Sequence, residues 1–123
     1  MRRLGPVLPL LGVLAACNVA ASEAYTERLQ VSVQSVEDTM TNPDDAGVPG
    51  GDAAHEVTYS YELDGKAYVA SQTVRPEDWD ASAAYFVCVD PDDPVKHAWI
   101  GTGDGGVECG KPGLGSKNAT PTP

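Results

Sequence analysis

The side chains able to do chemistry are few: three cysteines (Cys17, Cys88, Cys109), two histidines (His55, His97) and the acids of Asp90-Pro91-Asp92-Asp93-Pro94 and Asp104. Nucleophilic or acid–base catalysis needs a nucleophile and a base held within reach of each other. Neither histidine stands in a motif that supplies such a partner, so no catalytic dyad is assigned and the chain is expected not to be an enzyme. His97 is expected to be a half-exposed strand residue, and His55 lies where a strand should start. Asp90, Asp92, Asp93 and Asp104 are oxygen ligands of the kind Ca²⁺ takes. Their spacing is not that of an EF-hand, and aspartates interleaved with prolines favour a plain turn. Gly101-x-Gly103 lacks the Gly-Lys-Ser/Thr that completes a phosphate loop. No cofactor and no metal is expected.

The elements that must position these residues begin with an address. Arg2 and Arg3 precede an apolar run, Leu4 to Ala16, that is interrupted by Pro6 and Pro9. A membrane-spanning helix needs about 20 apolar residues, so this run reads as an export signal over residues 1–16 rather than as a permanent span. Its end, Leu14-Ala15-Ala16-Cys17, resembles the lipobox of bacterial lipoproteins, in which the cysteine sulfur receives a diacylglycerol and the signal is cut just before it. The resemblance implies lipidation (palmitate among the acyl chains) at Cys17. It also implies a protein anchored to a membrane of the bacterial cell envelope, facing the periplasm or the exterior. Two or more acyl chains hold a protein stably on a bilayer, since each buried methylene contributes about 0.8 kcal/mol. Residues 17–24, small and polar, are expected to be a tether.

With Cys17 lipidated, Cys88 and Cys109 remain, and exported chains meet an oxidising compartment. A disulfide is the simplest outcome and closes a loop that stabilises the fold by about 3 kcal/mol on the chain-entropy model. The alternatives are a metal site of both thiols with His55 and His97, or a reactive thiol. No CxxC or HxxxH spacing supports the metal.

The 123 residues carry a formal charge of −10, with 8 Lys+Arg against 18 Asp+Glu. Loss of Arg2 and Arg3 with the signal takes this to −12. Phosphate backbones repel such a chain, which excludes nucleic acid, and the charge points instead to a cationic envelope protein as partner. Leu, Ile, Val and Phe total only 24 residues, so any core is small and depends on aromatics.

Arg28 to Gln34 alternate, with Leu29, Val31 and Val33 on one side, as in a half-buried strand. Residues 39–54 hold two prolines, three glycines and three aspartates and are expected to form a long mobile loop. Val57, Tyr59, Tyr61 and Leu63 then alternate with polar residues up to Asp64-Gly65, a two-residue hairpin turn, and Lys66 to Thr73 run back. That turn pairs Tyr61 with Tyr68, Tyr59 with Ala70, Glu62 with Ala67 and Ser60 with Val69. The tyrosine side is expected to be buried, with the hydroxyls at the sheet margin where water or a partner can meet them. Residues 76–84 read as a loop or single turn in which Trp79 plugs one end of the sheet or makes an exposed contact. Tyr85 to Val89 are all apolar, as in a strand covered on both faces, with Cys88 pointing opposite to Val87 and Val89. A last strand follows over Val95 to Ile100, a glycine loop over residues 101–106, and a return that brings Cys109 to Cys88. Lys111 to Pro123 show no hydrophobic pattern and are expected to be disordered.

Tyr59, Tyr61, Gly65, Lys66 and Tyr68, followed by Val87, Asp90, Pro91 and Pro94, resemble a bacterial domain family of unknown function. Its pattern is a Tyr-x-Tyr strand, a Gly-Lys turn with a following Tyr, and a Val-x-Tyr-Asp-Pro-x-x-Pro segment. The likeness covers residues 25–100 and departs from the pattern at Val89, at Cys88 and in the Cys109 segment. The resemblance implies a membrane-anchored protein facing away from the cytoplasm and brings no catalytic residue or ligand.

These readings converge on an all-β domain over residues 25–110. It is an antiparallel curled sheet or small barrel of about five strands, with residues 111–123 as a tail. The expected role is contact with another protein at the membrane surface, with Trp79, Tyr59, Tyr61 and Tyr68 as contact candidates. The rival reading is an inhibitor or immunity-type lipoprotein that binds a cationic envelope enzyme.

Overall fold

A computed structural model describes residues 20–41, 52–103 and 106–123. The domain is antiparallel and all-β, with two single 3-10 turns at Ala21–Ala24 and Pro76–Asp78. Its strands are β1 (Glu27–Gln30), β2 (Ser32–Thr41), β3 (Asp52–Leu63), β4 (Lys66–Val74), β5 (Tyr85–Val89), β6 (Lys96–Thr102), β7 (Lys117–Asn118) and β8 (Thr120–Pro121). They form two four-stranded sheets, ordered β1-β5-β6-β7 and β2-β3-β4-β8.

The β3–β4 hairpin has the register that the turn dictates: Tyr61 faces Tyr68, Tyr59 faces Ala70, Ser60 faces Val69 and Glu62 faces Ala67. Asp64 and Gly65 both take positive φ, at 55° and 80°. This is the mirror-image turn whose twist matches that of the strands it joins. Tyr59, Tyr61 and Tyr68 are buried with Val31, Tyr85, Val87 and Val89 in one cluster between the sheets. Cys88 faces the other way, with Tyr25 and Ala98, on the far side of the β1-β5-β6-β7 sheet.

Three expectations about architecture are corrected. The strand expected over Arg28 to Gln34 is two strands in different sheets, β1 on β5 and β2 on β3. Val31 is the crossing residue, buried and donating its N–H to the Tyr85 carbonyl at 2.9 Å. A strand that changes sheets keeps the period of two, so the alternation could not show the crossing. The tail is ordered from Lys117 to Pro121, where β7 pairs with β6 and β8 with β4. Ala119 crosses between the sheets as Val31 does, buried and donating to the Val95 carbonyl at 2.8 Å. These residues join through backbone groups, which leave no hydrophobic pattern to read, and Pro121 is tolerated because β8 is an edge strand. Among the described residues, the five strands of a curled sheet or barrel are therefore eight strands in two sheets that do not close.

The expected loop over residues 39–54 is shorter than its composition suggests. Residues 39–41 continue β2 and residues 52–54 begin β3, while residues 42–51 lie outside the described residues. The expected glycine loop likewise begins as strand, since β6 runs to Thr102, and residues 104–105 are not described.

Candidate functional site

The interior is assembled from polar aromatics, and the sequence brings most of its candidates there. His97 on β6 is 0% exposed and lies under β3. Its Nδ1 is 3.1 Å from the Val95 carbonyl, which only accepts, so Nδ1 carries the proton. Nε2 is then the acceptor for the Tyr59 hydroxyl at 2.7 Å. The Tyr61 hydroxyl donates to the Pro94 carbonyl at 2.6 Å and lies 3.1 Å from His97 Nδ1. Burial holds the His97 pKa below its ordinary value, Lys117 pushes the same way, and the bond to Val95 opposes both. Burial also raises Tyr59 and Tyr61 well above the usual tyrosine range, reinforced by Tyr61 for the first and by Tyr68 for the second. The network is neutral, closed and satisfied, and it locks the two sheets together.

Two expectations fail here. His97 is fully buried rather than half-exposed. The hydroxyls of Tyr59 and Tyr61 point inward to His97 and Pro94 rather than to a sheet margin, because the second sheet covers the tyrosine face. Tyr68 is also buried, stacked on Tyr61 with ring centroids 5.5 Å apart. As surface contacts the three tyrosines are therefore excluded. Trp79 packs against the core cluster. It is half-buried and stacks on Tyr85 at 4.9 Å, and Tyr85 stacks on Trp99 at 5.3 Å. The Tyr85 hydroxyl accepts from the Asp80 amide at 2.7 Å, which fixes the turn that carries Trp79.

Cys88 and Cys109 are joined in a disulfide with Cα atoms 5.5 Å apart, so the thiol–imidazole metal site does not assemble. The bond ties the segment after β6 to the outer side of β5. That segment also grips the start of the domain: Gly110 N–H donates to the Tyr25 carbonyl, and Ser22 Oγ donates to the Lys111 carbonyl at 2.6 Å. The Leu114 amide in turn donates to Ser22 Oγ, and the Tyr25 and Ser116 hydroxyls bond each other. Ser22 is 2% exposed, so the expected tether over residues 17–24 is folded from Ala20 onward. Cys17 itself lies outside the described residues.

Asp90 to Asp93 make a turn, as their prolines suggest, while Asp104 lies outside the described residues. Asp90 Oδ1 accepts from the Asp92 amide at 2.9 Å, and Asp93 lies 3.8 Å from Lys96. A cleft of about 600 Å³ opens beside the end of β6, with Gln72, Arg75 and Asp78 on one wall and Trp99, Thr102 and Leu114 on the other. Its charges are of both signs and select no ligand class.

The surface feature that sequence reasoning missed is β2. Among the described residues, the large hydrophobics left exposed are Val33, Val36 and Met40, at 41%, 40% and 42%, and all three lie on this strand. The strand stands at the edge of its sheet. A register shift between Val33 and Ser35 puts Val33 opposite Tyr59 and Val36 opposite Val57, on the same face, with Met40 opposite Ala53 following. Without that bulge, alternation would send Val36 to the opposite face from Val33. The other face carries Glu37 directly opposite Glu56. Asp38 lies on the Val36 and Met40 face, opposite His55, with 3.4 Å between Oδ1 and Nδ1. The strand's length, its lack of Lys, Arg and Pro, and its spaced apolar residues are the available signals, and composition alone places residues 39–41 in the loop.

No protein-family model matches the chain, and no curated protein or solved structure is significantly similar to it.

Proposed function

We propose that the chain is a bacterial envelope lipoprotein, anchored through Cys17, that acts by contacting another protein close to the membrane surface and carries out no catalysis. The observation that carries this reading is where folding starts. Ala20 opens the first turn, and Ser22 is clamped by Lys111 and Leu114. The chain between Cys17 and Ala20 then spans about 10 Å at most, since each extended residue reaches about 3.5 Å. A lipid at Cys17 would hold the domain against the bilayer rather than on a long leash. Among the described residues no helix is long and apolar enough to cross a membrane, so in this reading the lipid is the attachment. The resemblance to the bacterial domain family of membrane-anchored proteins points to the same compartment.

The inhibitor reading rests on the formal charge of −12 that remains once Arg2 and Arg3 are lost with the signal, which steers a cationic enzyme at low salt. One experiment addresses both. The chain from residue 17 onward, carrying Cys17→Ser, is immobilised and challenged with bacterial envelope extract at low and high salt. A component retained at both salts supports the contact reading. A basic enzyme held only at low salt, and inhibited by the free domain, supports the inhibitor. Nothing retained at either salt overturns both.

A further inference from the structure

Building on the protein-contact reading, we propose that the open edge of β2 takes an extended, basic segment of a partner protein as an added strand. Its apolar side chains would lie against Val33, Val36 and Met40, and its Lys or Arg side chains beside Glu37.

An edge strand presents a row of backbone donors and acceptors with no partner on one side, and proteins that do not use such an edge blunt it with charges, proline, bulges or a short length. In β2 the bulge lies near its start, between Val33 and Ser35, and the charges are acidic only. β2 has ten residues, Ser-Val-Gln-Ser-Val-Glu-Asp-Thr-Met-Thr, with neither lysine nor proline. Among the described residues its ladder pairs with β3 alone. Strand addition draws affinity from main-chain bonds and specificity from alternate side chains. Here the bulge collects Val33, Val36 and Met40 on one face, with Asp38 between Val36 and Met40, and leaves Glu37 on the other.

The charge selects the occupant. Like charges directly opposite each other destabilise a strand pair, and Glu37 faces Glu56 across β2 and β3. Glu56 accepts a hydrogen bond from Thr73 Oγ1 at 3.2 Å, which leaves its charge in place. Neither β2 nor β3 contains a lysine or arginine. A cation on an added strand beside Glu37 relieves the repulsion. A second copy of β2 instead brings Glu37 and Asp38 against their own kind, so the edge favours a basic partner over self-pairing.

The test uses the Cys17→Ser chain with its disulfide formed. The probes are a ten-residue peptide alternating Lys and Val, the same peptide with alternate amides N-methylated, and one alternating Glu and Val. Amide hydrogen exchange and chemical-shift changes locate binding. The Lys-Val peptide should bind, slow exchange within residues 32–41, and weaken roughly tenfold with Glu37→Lys at low salt. The N-methylated peptide, which keeps the charge and loses the ladder, should bind at least about tenfold more weakly.

Equal binding of the methylated peptide, or protection elsewhere on the domain, overturns the strand-addition inference. A concentration-dependent dimer that protects β2 without peptide overturns the committed occupant. Absence of peptide binding, while the domain still retains an envelope protein, removes this inference and leaves the contact reading standing. Should Glu37→Lys misfold, the methylated peptide on the unsubstituted chain still decides the matter.

Discussion

β3 lies between two unlike environments. From Val57 to Tyr61 it runs between β2 and β4, and its inner side chains meet His97 and Trp99 of the opposite sheet. Every polar group of the Tyr59–His97–Tyr61 set is answered by another, and His97 has no exposed surface. Toward its start β3 pairs with the outer part of β2, where Val36 and Met40 lie open beside Glu37 and Asp38. Chemical reactivity of side chains is thus a poor guide in this protein. The histidine and tyrosines spend their polar atoms on one another and on nearby carbonyls, whereas the valines of β2 stay exposed on a strand whose outer edge no other described residue pairs.

Four perturbations break or sharpen that contrast. The largest effect should come from removing the tie on the closed side: Cys88→Ala with Cys109→Ala loses about 3 kcal/mol of stability in denaturant melts, the expected cost of reopening that loop. Tyr59→Phe should cost about 1–3 kcal/mol, because it strands the His97 Nε2 acceptor in the interior. A Tyr59→Phe protein as stable as the parent would remove the network as a structural lock.

Titration perturbs the same network without mutation. His97 is depressed in the fold, so acid protonates the unfolded chain first, and stability should fall as pH drops below its ordinary value of 6.5. Tyr59 and Tyr61 are raised, so stability should also fall as pH climbs above their ordinary value of 10. Melting temperature against pH should therefore form a plateau between those limits, with Tyr59→Phe softening the alkaline edge. The smallest effect should lie at the open edge. Val36→Thr and Met40→Thr should each change stability by no more than about 0.5 kcal/mol, while weakening the Lys-Val peptide.

The hairpin was legible because Asp64-Gly65 fixes both turn and register, and the burial of Tyr59, Tyr61 and Tyr68 followed from the alternation around it. The Cys88–Cys109 pairing was legible from the cysteine count, once Cys17 is set aside as the lipobox residue. Three features were not. Val31 and Ala119 change sheets without breaking any periodicity that the sequence displays. β7 and β8 join through backbone bonds, which carry no side-chain signature. The exposed face of β2 depends on one bulge, and a shift of one residue reverses which side chains face outward. The candidate site was hidden for that reason: Val36 and Met40 fell outside the alternation that ended at Val33, and residues 39–41 looked like loop.

The difference between the closed interior and the open edge can be measured on the chain alone, by hydrogen exchange resolved to single amides at neutral pH. Amides of β3 from Val57 to Tyr61 should exchange only through global unfolding. Those β2 amides between Val33 and Met40 that point away from β3 should exchange orders of magnitude faster. Uniform protection along both strands would contradict the account, because it would mean that the edge of β2 is already occupied.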